Sequence, residues 1–216
     1  RTSRLELLEV IERVTSKVAP GRAPSFAEAH VIKALEIIGG AEAVGRVGLS
    51  KELGLGEGAT RTLVKHLKNE GMIKVSKYGI VLSEHGKKLF SDLRSRISEG
   101  VEVPPSPLTV GPFNTAVLVR NVARVVKRGL EQRDTAIKAG ALGATTLIFS
   151  RNKLTMPSIG EEDVFKGIPS IREILLSKLC PKENDVILIG SGENKRIAEI
   201  GAKMAAFELL KTESGN

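Results

Sequence analysis

Apolar residues along this chain change their spacing several times, and each change marks an element. Between Arg1 and Val18, the positions Leu7, Ile11, Val14 and Val18 recur at spacings of four, three and four, the period of one helix face. So narrow a seam predicts an amphipathic helix that pairs with another. Two outcomes stay open for it: a dimerisation arm, or a helix laid on the core of its own domain. Ala19 to Pro24, APGRAP, breaks this helix, and Ser25 is placed to cap a second one from Phe26 to Ile38.

From Leu49 to Gly86 the pattern is denser. Ser50 to Leu53 can form a short helix, and Gly54 and Gly56 supply the freedom of a tight turn. Thr60, Leu63, Val64 and Leu67 then repeat at helical spacing, while Arg61, Thr62, Lys65, His66 and Lys68 fall on or beside the other face. Glu57 lies in the first turn, where a negative charge suits the helix dipole. Asn69, Glu70 and Gly71 end the helix. Two short apolar runs, Met72 to Val75 and Gly79 to Leu82, follow and predict a hairpin with Lys77 and Tyr78 at its tip. Lys87 to Ile97 predicts a last helix.

Ser98 to Pro112, with Pro104, Pro105, Pro107 and Pro112, reads as an extended, semi-rigid spacer. Beyond it, β-rich and helical runs alternate. Strands are expected over Thr115 to Val119, Ala144 to Ser150, Lys153 to Met156 and Val186 to Ile189. Helices are expected over Val122 to Ala139, Ile171 to Leu179 and Lys195 to Leu210. The predicted order is β-α-β-β-α-β-α: a four-stranded mixed or antiparallel sheet with about three helices, covered mainly on one face. The whole chain is thus expected to be α+β. Its predicted parts are an N-terminal arm (residues 1–24), a helical domain with a hairpin (25–98), a linker (99–112) and an α/β domain (113–216).

The run TRTLVKHLKNEGMI, the hairpin after it and the closing LSEHGKKLF together resemble the winged helix-turn-helix domains of bacterial and archaeal transcription regulators. The resemblance spans Phe26 to Leu93. It implies that Glu57 to Glu70 is the recognition helix of a module that binds double-stranded DNA. Arg61, Thr62, Lys65 and His66 would face the major groove with Lys68 beside them, and Lys77 and Tyr78 would tip the wing. Gly58 and Ala59 depart from the pattern, because a groove-reading side chain often stands there. As a whole the chain resembles archaeal proteins that join a winged helix to an α/β domain, with GLEQRDTAIKAGALGATTLIF and DVILIGSGENKRIAEIGAKMAAFELL as the similar runs. That likeness implies no particular reaction.

Composition sharpens this in one place. The 216 residues carry a net charge of +8, and divided at Val103 each half carries +4, so basicity is global. Its clustering is local: Gly58 to Gly79 holds five Lys or Arg against Glu70 alone, and such groups dominate non-specific affinity for phosphates. A lone Cys180, expected as half-buried filler, excludes an internal disulfide and every multi-cysteine metal motif. His30, His66 and His85 lack metal-ligand spacing. Neither metal nor cofactor is expected, no run is long enough to cross a membrane, and a cytoplasmic protein is expected. The scarcity of Gln, Cys and Met hints at a thermophilic source.

Three features of the second half invite chemistry. Gly190, Ser191, Gly192 and Asn194 join a buried strand to a helix, where amides can hold an anion, although Lys195 stands where GxGxxG has its third glycine. Glu131, Gln132, Arg133 and Asp134 are consecutive polar residues that cannot all face solvent on one helix; Gln132 or Arg133 is expected to point inward. A basic stripe of Arg120, Arg124, Lys127 and Arg128 precedes them. The leading expectation is a one-component transcription regulator, a homodimer whose second domain dimerises or senses a small anionic ligand. The alternatives are a nucleotide- or cofactor-related enzyme that carries a winged helix, and a protein-interaction module.

Overall fold

The computed structural model describes residues 2–16 and 25–215. Val18 and the Ala19 to Pro24 break lie outside them. The chain divides into two compact units, Arg1–Arg94 and Ser95–Asn216.

In the first unit, α1 (Thr2–Thr15) and α2 (Glu28–Gly39) precede a helix-turn-helix of α3 (Arg46–Leu53) and α4 (Glu57–Asn69). The wing of β1 (Ile73–Ser76) and β2 (Gly79–Leu82) follows, and α5 (Glu84–Arg96) closes the element order. The α1 seam is resolved in favour of its own domain: Leu7, Ile11 and Val14 are buried, and α1 packs on α2 and α4. α2 starts two residues later than expected, since Ala27 rather than Ser25 is its N-cap and donates its N–H to His30 Nδ1 at 2.9 Å.

Two positions explain the motif around the wing. α4 ends in a Schellman turn, with Gly71 at φ +72° and Met72 N–H donating to the Leu67 carbonyl. Ser83 then caps α5 by accepting from Gly86 N–H at 2.9 Å, and a Cβ on Gly86 would fall 1.9 Å from the Met72 carbonyl oxygen. The hairpin is pinned by a third, one-residue strand: Val44 pairs with Ile80, and the Val44 carbonyl lies where a side chain on Gly79 would go.

The second unit departs from expectation in three ways. Its sheet has five strands, all antiparallel, in the order β3-β4-β7-β5-β6, where β3 is Val101–Val103, β4 Phe113–Val119, β5 Gly143–Ser150, β6 Lys153–Thr155 and β7 Asp185–Gly192. The extra strand, β3, comes from the segment expected to be a linker. Ser98 N–H already donates to Leu118, and the Leu108 carbonyl accepts from Thr145 Oγ1; the proline-rich stretch is therefore built into this unit. Helices cover both faces rather than one. α7 (Pro169–Leu179) lays Ile171, Leu175 and Leu179 on Leu118, Leu147 and Ile187, while α6 (Leu130–Lys138) and α8 (Lys195–Ser214) pack on the other side. Finally, the helix expected from Val122 to Ala139 is broken. A 3₁₀ turn at Ala123–Val125 is followed by Gly129 at φ +81°, and only then does α6 begin. Among the described residues no helix is long and apolar enough to cross a membrane.

Candidate nucleic-acid interface

The geometry of α4 follows from its sequence. Thr60, Leu63 and Leu67 are buried and fix one side of the helix inward, which turns Arg61, Lys65 and Lys68, at spacings of four and three, to solvent. Arg61 carries an exposed ion pair with Glu57 at 3.4 Å. Thr62 is half-buried and donates its hydroxyl to the Gly58 carbonyl at 3.1 Å. Gly56 and Gly58 are open, with no atom within 4 Å of where a Cβ would stand.

His66 does not join this outward set. Its Nδ1 lies 2.7 Å from the Val14 carbonyl of α1, and its ring meets Phe26 edge-on. The helix periodicity sets it beside the basic face; the tertiary partner α1 takes it. At the foot of the same helix, Arg13 grips both carboxylate oxygens of Glu70 at 3.2 Å. α1 thus holds the back of α4 at two points.

The wing tip is a two-residue turn of Lys77 and Tyr78, fixed by Ser76, which accepts from Tyr78 N–H and donates to the Gly79 carbonyl. Tyr78 is 77% exposed and Lys77 Nζ lies 4.9 Å from its ring centre. One exposed base is not apparent from the sequence pattern. α3 begins at Arg46 rather than Ser50, so Arg46 stands exposed in the first turn of the helix that precedes α4. A three-residue glycine spacing, Gly45 to Gly48, hides that start.

The features of the second unit that invited chemistry have structural explanations. Gly190 and Gly192 are strand residues of β7 whose neighbours in the sheet are Thr115, Ala144 and Phe113. A Cβ on Gly190 would stand 2.3 Å from the Ala198 carbonyl oxygen, so the glycine lets α8 lie on the sheet. Ser191 is fully buried and donates to Asn114 Oδ1 at 2.7 Å, and Asn194 caps α8 by accepting from Ile197 N–H. The segment expected to hold an anion is a packed strand that leads into a capped helix. Gln132 is the polar residue of its run that turns inward, at 3% exposure, and Arg133 stays exposed. Gln132 Oε1 and Thr146 Oγ1 are both buried with no hydrogen-bond partner among the described residues.

The basic stripe is partly internal. Arg120 pairs with buried Asp185 at 2.8 Å and Arg124 with buried Glu213 at 2.5 Å; Lys127 and Arg128 are exposed. Cys180, expected to be half-buried, is exposed at the C-cap of α7 with φ +47°. An apolar groove of about 380 Å³ lies between Val103, Pro104, Phe113 and Ile174, with the Lys195–Glu102 ion pair, 3.0 Å apart, in its wall. Among the described residues no group of three or more His, Cys, Asp or Glu could hold a metal ion.

Comparison with known proteins divides at the same place. Residues 30–97 match the family described as the CggR N-terminal DNA binding domain, and residues 110–209 match a domain of unknown function, DUF4443. No match was found among curated proteins. A solved structure of a hypothetical protein from Pyrococcus horikoshii OT3 is similar at 26% identity and a TM-score of 0.70, over 88% of this chain and 95% of that one. The chain therefore carries an N-terminal winged-helix-like DNA-binding domain, followed by an α/β domain on an antiparallel sheet.

Proposed function

We propose that this protein is a transcription regulator that docks α4 in the major groove of duplex DNA. The observation that carries the reading is the outward row of Arg61, Lys65 and Lys68 on a helix whose opposite side is locked into the domain. Thr62 lies at the edge of that row, Lys77 and Tyr78 lie at the wing tip, and Arg46 opens the helix before. In such modules the second helix enters the groove while the first crosses the backbone. Binding to genomic fragments over a salt series tests it. Removing one phosphate-neutralising side chain lowers the log–log slope by about 0.9. Lys65→Ala and Lys68→Ala should each lower both affinity and slope, Arg61→Ala should lower affinity, and unchanged affinity in all three variants would refute the assignment.

The second unit is assigned self-association, sensing of a small anionic ligand, or both. With the α1 seam spent inside the first unit, a homodimer would have to form elsewhere. The groove beside Lys195 is apolar with an exchangeable ion pair in its wall, which suits a ligand with an apolar body and one negative group. Sedimentation of the full chain, with and without DNA, tests the homodimer.

A further inference from the structure

Glu57 is out of place on a surface that meets a polyanion. It is the one carboxylate on α4, and it sits on the same side as Arg61, Lys65 and Lys68. The other acid of the motif, Glu70, is drawn off by Arg13 on α1, whose Nε–H is shared between both of its carboxylate oxygens. Glu57 has no such anchor behind it. It is 69% exposed and pairs with Arg61, itself 62% exposed. The residues on either side, Gly56 and Gly58, present no side chain beside this exposed ion pair.

In the free protein an exposed pair one helical turn apart contributes little to stability. Against DNA the balance changes. A carboxylate among the phosphates opposes binding wherever the protein lands, and an arginine already held by it is less free to seize the nearest phosphate. Held by Glu57 through one terminal nitrogen, the guanidinium keeps its remaining N–H groups for a base edge. Its fork matches the O6 and N7 acceptors of guanine.

Resting on the reading of α4 as the groove helix, we propose that Glu57 is a positioning residue. It withholds Arg61 from phosphate and aims it at guanine, lowering affinity for arbitrary DNA and raising discrimination between sequences. A role confined to supporting the helix start predicts the opposite sign, since losing the charge would then weaken all binding together with stability.

The test uses the full chain and three proteins: the parent, Glu57→Gln and Arg61→Lys. Duplexes are selected from a randomised pool with the parent, and dissociation constants are measured for the selected duplex and a scrambled one, with thermal melts alongside. Glu57→Gln should bind the scrambled duplex about three- to tenfold tighter and lose about tenfold in the ratio of selected to scrambled affinity. Arg61→Lys, which keeps the charge but not the fork, should lose preference at one guanine position of the selected site. The proposal is overturned if Glu57→Gln leaves the ratio within twofold, if it weakens both duplexes equally as the melting temperature falls, or if the parent selects no preferred sequence. A parent that binds no duplex at all would instead remove the DNA-binding reading itself.

Discussion

At the scale of single residues, the first unit contains a built-in acid sensitivity. His30 is half-buried, and its Nδ1 accepts the Ala27 N–H that opens α2. Burial pushes its pKa below the ordinary 6.5, and the charge of Lys33 pushes in the same direction. A histidine lowered on folding binds its proton more readily when unfolded, so its contribution to stability is complete above about pH 6.5 and is lost as pH falls below that value. His30→Gln keeps an acceptor three residues into the helix, in the manner of a capping box, and cannot titrate. Thermal melts from pH 8 to pH 5 should show the parent losing stability below about 6.5 and His30→Gln losing less. Equal losses would exclude His30 as the source. What the sequence conveys at this scale is uneven, for a physical reason. Ser83 and Gly86 are legible because a cap and a close approach demand particular residue types. His66 is not, because helical period specifies an angle about the axis and not the neighbour met there, and α1 is that neighbour. Glycine pairs mislead in the same way: Gly190 and Gly192 resemble a phosphate loop, yet they exist so that α8 can touch the sheet.

At the scale of elements, α1 is the one whose role does not follow from its own pattern. A spacing of four, three and four satisfies a partner helix from another copy as well as α2 and α4 of the same one. The burial of Leu7, Ile11 and Val14 within the unit decides it, and Arg13 and Val14 add polar ties to the back of α4. Ile11→Ala should therefore cost about 2–5 kcal/mol of stability, seen as a lower midpoint in chemical denaturation, with the sedimentation coefficient of the folded protein unchanged. A dimerising arm would give the reverse result, a change of mass with little loss of stability. Elements formed by local rules, α4 and the wing hairpin, lie within a residue or two of where their patterns predict them. Those formed by distant partners do not: β3 is only three residues long and exists because β4 offers it an edge, and the helix before β5 begins only after Gly129, whose positive φ interrupts any continuous run.

At the scale of the whole molecule, the net charge of +8 is a poor guide to where nucleic acid binds. Half of it lies in the second half of the chain, where some of the arginines answer carboxylates held inside the unit: Arg120 pairs with buried Asp185, Arg124 with buried Glu213, and Arg172 with half-buried Asp163. Asp163 shows how thoroughly such a charge is absorbed. Burial alone would raise its pKa, but the N–H groups of Leu154 and Phe165 together with the Arg172 guanidinium hold it below the ordinary value. A cation engaged in this way is not available to release counterions from DNA. Lys127 and Arg128 are the discriminating residues, since they are basic, exposed and on the second unit. If binding follows local clustering on α4 rather than total charge, Lys127→Ala combined with Arg128→Ala should leave the salt slope unchanged within error, while Lys65→Ala combined with Lys68→Ala should lower it by about two. Equal drops from the two pairs would mean that DNA reads the charge of the molecule as a whole, and the recognition helix would lose its special place.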